Sequence, residues 1–219
     1  KYDFATGLYS RLTWGNLSTS LMDISRDGKK LLFSTSRPVY NEFPFNKQNV
    51  YLMDMATQQV DTLWKDRIWS VSCSFSPDGK QLLVQGGPSS FGKLGENITK
   101  GQIVNQYDTQ LFIYDLASGD VQAITRNFNP SVEEAVWHKN GSIIAKVNDA
   151  DFVRLYRYDG KEFVRIECPG DMVKQTSLAE NSEFMMYTAS TTNHPDRAYT
   201  LNLNDNQFAM WDNPCHKQY

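Results

Sequence analysis

Sustained helical periodicity is absent from this chain of 219 residues. No segment repeats its apolar residues every 3.6 positions over several turns, which excludes helical bundles and the strand–helix alternation of parallel-sheet enzymes. Nor does any stretch approach the about 20 apolar residues that a membrane-spanning helix needs. Cysteine is scarce: Cys73, Cys168 and Cys215 form no C-x-x-C pair, and an odd number cannot be fully paired within one chain, so they read as buried or incidental free thiols. His138, His194 and His216 have no partners at metal-ligand spacing, so no metal site and no cofactor are expected. Neither sign of charge dominates. The 22 basic and 25 acidic residues leave a net charge of −3, with no electrostatic footprint for nucleic acid or an anionic membrane. The chain opens on Lys1 and carries no signal peptide, which leaves its location open at this level.

What is abundant favours strands: 12 Phe, 11 Tyr and 5 Trp. A strand, a polar turn and a second strand recur five times. The clearest copies are Tyr2-Asp3-Phe4-Ala5-Thr6-Gly7 leading to Leu12, Met53-Asp54-Met55-Ala56-Thr57-Gln58 leading to Leu63, and Tyr114-Asp115-Leu116-Ala117-Ser118-Gly119 leading to Ile124. Looser copies end at Ile166 and Trp211. Each of the first four is followed by a second turn signal: Asp27-Gly28, Asp78-Gly79, Asn140-Gly141 and Asn181-Ser182. From Leu12 to Asp27, Leu63 to Asp78 and Ile166 to Asn181 the separation is 15 residues, and from Ile124 to Asn140 it is 16. A spacing held this closely marks one repeated supersecondary unit.

Four short strands, a to d, fill each unit, and turn-to-turn lengths of 41 (140 to 181) to 62 residues (78 to 140) match β-propeller blades. The expected fold is all-β: four complete four-stranded blades plus a half blade, a fragment of a larger propeller. Residues 1–14 supply strands c and d of the incomplete blade, whose absent a and b strands would leave an open edge. Complete blades follow at 15–65, 66–126 (with a long insert at 86–109), 127–168 and 169–213, and 214–219 form a tail.

Ser76-Pro77-Asp78-Gly79-Lys80-Gln81-Leu82-Leu83-Val84, followed by Leu111-Phe112-Ile113-Tyr114-Asp115-Leu116, resembles TolB-like propeller repeats. Ser25-Arg26-Asp27-Gly28-Lys29-Lys30-Leu31-Leu32-Phe33-Ser34 and Val50-Tyr51-Leu52-Met53-Asp54 carry the same pattern. With its long aromatic inserts, the chain is similar to the N-terminal propeller of a prolyl oligopeptidase or dipeptidyl peptidase IV-like serine peptidase of a Bacteroides-like bacterium. The resemblance implies a periplasmic or secreted protein, a partner α/β-hydrolase domain on the C-terminal side, and a peptide substrate. The propeller would gate access and help to bind the peptide. The alternative is a TolB-like propeller that binds a protein partner and belongs to no enzyme.

No catalytic residue is expected in this chain. The family's nucleophile elbow is G-x-S-x-G, and none of the 13 glycines begins one; Gly87-Pro88-Ser89-Ser90-Phe91 fails at its last position. Whether the parent is an enzyme is therefore left to the resemblance. Binding candidates lie on two inserts that join strands b and c on one face of the disc, with Tyr40 and Phe43 in Arg37–Gln48, and Phe91 and Tyr107 in Gly86–Thr109. Their bland alternative is packing of the loops themselves. Glu133 and Glu134 open a strand a, which lines the central channel. The resemblance implies a further role for them, because dipeptidyl peptidase IV-like enzymes hold the substrate's amino terminus with a glutamate pair. A solvated rim or channel wall is the competing reading.

Overall fold

The computed structural model describes residues 1–212, so Cys215, His216 and the expected tail 214–219 lie outside the described residues. Sixteen strands follow in order. The first sheet holds β1 (Ser18–Ile24), β2 (Lys30–Pro38), β3 (Asn46–Asp54) and β4 (Val60–Arg67). The second holds β5 (Ser72–Phe75), β6 (Gln81–Gly86), β7 (Gln110–Asp115) and β8 (Val121–Ala123). β9 (Ser131–Trp137), β10 (Ile143–Asp149), β11 (Phe152–Tyr158) and β12 (Phe163–Arg165) form a third meander. β13 (Met172–Leu178), β14 (Phe184–Thr191), β15 (His194–Asn202) and β16 (Phe208–Asp212) form a fourth. A parallel bridge from Val153 to Met172 fuses the last two into one sheet of eight strands. All neighbours within a meander are antiparallel, which is the construction of a propeller blade. No pairing joins the first meander to the fourth among the described residues.

The b strands explain how the meanders stack. Leu31-Leu32-Phe33, Leu82-Leu83-Val84 and Ile143-Ile144-Ala145 are buried without alternation, because successive side chains serve opposite faces and both faces are covered. Leu32 and Val50 pack on Cys73, Phe75, Leu82 and Val84 between the first two blades. Leu83 and Leu111 meet Val132, Ile143 and Val147 between the second and third. Ile144 and Leu155 meet Met185, Tyr187 and Leu201 between the third and fourth.

Polar links reinforce these cores. The Asp23 carboxylate accepts the Phe75 N–H at 2.7 Å, and the Gln48 amide both donates to the Val71 carbonyl (3.0 Å) and accepts from the Val71 N–H (2.9 Å). Buried His138 lies 3.0 Å from Glu183, spanning the a–b turns of the third and fourth blades.

The a–b turns follow one local recipe. Ser25 and Ser76 each donate their hydroxyl to the aspartate two residues on, at 2.7 Å, and accept the N–H of Lys30 and Gln81 at 2.9 Å. Gly28 and Gly79 take φ of 69° and 68°, a left-handed conformation that glycine adopts without cost. In the third blade His138 replaces the serine, and Asn140 caps Ser142 instead.

Residues 1–14, expected to provide two strands, form an isolated bridge between Tyr2 and Tyr9. The chain curls around the Asp3 carboxylate, which accepts the N–H groups of Ala5 and Thr6, and no further strand extends the pair among the described residues. Leu12 packs against Leu31, Phe33 and Met53.

Candidate functional site

In an antiparallel meander the b–c and d–a connections fall on one face of the disc. Two b–c connections dominate that face. Between β2 and β3 the chain makes a hairpin at Val39–Phe45, closed by the Val39 N–H donating to the Phe45 carbonyl at 2.7 Å. Tyr40 and Phe43 stand 83% and 74% exposed at its tip, and Phe43 meets Phe45 edge to face at 5.7 Å. Rings left in water to this extent contribute little to holding the hairpin down.

The longer insert, between β6 and β7, starts with a 3-10 turn at Pro88–Phe91. Gln106 locks its return leg, donating its amide to the Ser89 hydroxyl at 2.6 Å, while Ser89 donates to Glu96 at 2.9 Å. A side chain at Gly95 would meet the Pro88 carbonyl at 2.7 Å, so the loop closes only over glycine. Tyr107 is 86% exposed. Beneath the insert a cavity of about 490 Å³ is bounded by Pro88, Ile103, Asp108, Arg126 and Phe128 among others. That volume lies within the usual range for small-ligand sites.

Phe91 behaves differently from the other loop aromatics. It lies 5.4 Å from Trp64 and 5.1 Å from Phe112, ring to ring, and belongs to the packing between the first two blades. Arg67, at the end of β4, covers both the Trp64 and Phe91 rings at 5.1 and 4.9 Å from their centres. A pocket of about 380 Å³ opens beside it, lined by Arg67, Ile68, Trp69, Ser89 and Ser90.

Glu133 and Glu134 lie inside β9, and the structure brings them to one cation. The Lys146 ammonium from β10 sits 3.4 Å from Glu133 and 3.5 Å from Glu134, and donates to the Lys174 carbonyl at 2.8 Å. Thr176 donates its hydroxyl to Glu134 at 2.9 Å, and Gln85 donates to the Glu133 carbonyl at 2.9 Å. The pair therefore already holds an ammonium of this chain, leaving one negative charge of two unanswered by it.

Lys146 and Arg67 were not anticipated from the sequence. A lysine within the apolar run Ile143–Val147 was the available signal, since a charge in a covered strand calls for a partner. Among the described residues, no group of three or more His, Cys, Asp or Glu side chains could hold a metal ion. No helix there is long and apolar enough to cross a membrane.

No protein-family model and no curated protein sequence matches the chain. Solved structures do. TolB from Acinetobacter baumannii superposes with a TM-score of 0.61 at 16% identity, covering 91% of this chain and 44% of TolB. The β-propeller domain of the Trilobed protease from Pyrococcus furiosus gives 0.65 at 16% identity, over 92% of this chain and 54% of that one. An acylaminoacyl peptidase gives 0.61 at 19% identity, over 89% of this chain but only 27% of the peptidase. The chain thus spans about half or less of the length of these three. With blades packed face to face and neighbours of this kind, the chain has the β-propeller fold found in TolB and in the propeller domains of prolyl oligopeptidase-type peptidases.

Proposed function

We propose that this chain is the non-catalytic propeller region of a prolyl oligopeptidase-family, dipeptidyl peptidase IV-like serine peptidase, periplasmic or secreted. In this reading it gates access to a C-terminal α/β-hydrolase domain and helps to bind the peptide. The observation that carries it is the loop face: Tyr40, Phe43 and Tyr107 are held out to solvent on two b–c connections of a fold that peptidase propellers share. Exposed aromatic side chains on a rigid scaffold are a frequent means of holding peptide groups.

Glu133 and Glu134 enter this reading in a narrower form. Lys146 competes for the same carboxylates, so a substrate ammonium would have to share them or displace it. Phe91 supports the site through packing.

The test is the reading frame beyond Tyr219, followed by kinetics of its product. A G-x-S-x-G segment with Asp and His after it in that order supports the peptidase, and Tyr40→Ser with Phe43→Ser should then raise KM for peptides while kcat changes little. A frame that continues without such a motif, or stops, refutes it and favours the second reading, a TolB-like module for a protein partner, which the TolB superposition supports.

A further inference from the structure

Arg67 carries a charge that no carboxylate answers among the described residues. One terminal nitrogen donates to the Ser90 carbonyl, while Nε is buried and has no hydrogen-bond partner. The acid next to it in sequence, Asp66, is taken by Arg37, whose Nε and one terminal nitrogen donate to it at 3.1 and 2.7 Å. Glu96, across the insert, accepts from Ser89. The ionisable group that Arg67 does feel is Cys73, and burial pushes that thiol up to about 12, so it is neutral at pH 7 and supplies no counter-charge.

Desolvation works against this guanidinium and lowers its pKa from the ordinary value. The faces of Trp64 and Phe91 offset part of that cost. A cation so placed gains from any anion that can reach it, more than one bathed in water would.

The pocket of about 380 Å³ provides the approach. Its wall combines Arg67 with Trp69, Ile68 and the Ser89–Ser90 pair, so a charged group and an apolar neighbour can be accommodated together. It lies where the crossover from β4 to β5 meets the long insert, on the face that also presents Tyr40, Phe43 and Tyr107.

We propose that this pocket is a carboxylate-binding site in which Arg67 receives the C-terminal or an acidic side-chain carboxylate of a peptide. The peptide as source rests on the function proposed above; the carboxylate chemistry does not.

The full chain would be titrated with acetyl-triglycine, with its C-terminal amide, with acetyl-Gly-Glu-Gly amide and with sodium acetate. Proton–nitrogen correlation spectra would follow the Arg67 Nε–H and the Trp69 indole. At least one acid peptide should shift both signals saturably and bind about tenfold or more tightly than the uncharged amide, as expected for a charge-assisted hydrogen bond. The responding peptide identifies which carboxylate is used, and Arg67→Gln should erase the difference. Equal binding of acid and amide peptides by the unaltered chain overturns the site whether or not the variant folds. So does the absence of a response to every probe. Acetate moving Arg67 while neither acid peptide does would retain the carboxylate site and remove the peptide reading.

Discussion

Replacing Gln48 should loosen the first blade from the second. The Gln48 side chain imitates a strand: its amide pairs with both backbone groups of Val71, at 3.0 and 2.9 Å, in a spot where both residues are buried. Removing it leaves a buried N–H and a buried carbonyl without partners, each costing roughly 1–3 kcal/mol. The combined loss for Gln48→Ala is about 3 kcal/mol, which at this chain length lowers Tm by about 6–12 °C. Gln48→Leu separates causes, since it keeps most of the volume while still orphaning Val71. Urea unfolding followed by circular dichroism measures both variants, with m unchanged if only native-state contacts are lost. A leucine variant within about 0.5 kcal/mol of the parent would refute the reasoning, because filling space alone would then suffice.

Three other outcomes follow from the packing and the turns. Gly170 has φ of +103° and a Cβ there would lie 2.3 Å from the Ala189 Cβ, so Gly170→Ala should cost roughly 2–4 kcal/mol, read as a shift in urea midpoint. Hydrogen bonds hold the turn carboxyls below their ordinary 3.8, mainly from the Ser25 hydroxyl at Asp27, the Ser76 hydroxyl at Asp78, and the backbone of Thr57 and Ser118 at Asp54 and Asp115. The folded state therefore binds fewer protons than the unfolded one in this range. Stability should be full above about pH 5 and fall as pH drops through about 4 and below, with Asp27→Asn and Asp78→Asn flattening the urea-midpoint profile. The Cys73 thiol, buried and pushed up to about 12, should resist alkylation at pH 8 until the chain is unfolded, as peptide mapping by mass spectrometry would show; labelling of Cys73 in the native state would contradict its burial.

Much of the fold was legible because its signals are local. Asp27-Gly28 and Asp78-Gly79 mark the a–b turns, where glycine meets the left-handed backbone and aspartate caps the neighbouring amides. In the third blade the two residues Ala150-Asp151 are enough to join β10 to β11. The site was less legible because its contacts join residues on different strands, some within one blade and some between blades. Nothing near Glu133 announces Lys146 as the cation on the next strand, since register is decided by pairing and not by spacing. Phe91 and Tyr107 share one insert and look alike in sequence, yet one is packed on Trp64 and Phe112 and the other stands in solvent. The 3-10 turn that separates their fates depends on Gln106 reaching back to Ser89.

The unalternating b strands have a thermodynamic consequence. Leu82 and Val84 face one core and Leu83 the next, so the second blade is a wall common to two rooms. Its stability is deposited in its boundaries with neighbours, which makes the chain behave as a row of coupled units. Damage to one wall weakens the seams on both of its sides, and opening should spread from blade to blade along the row. A perturbation inside β6 would then be felt as faster amide exchange in β2 and β10, strands it never touches through a hydrogen bond.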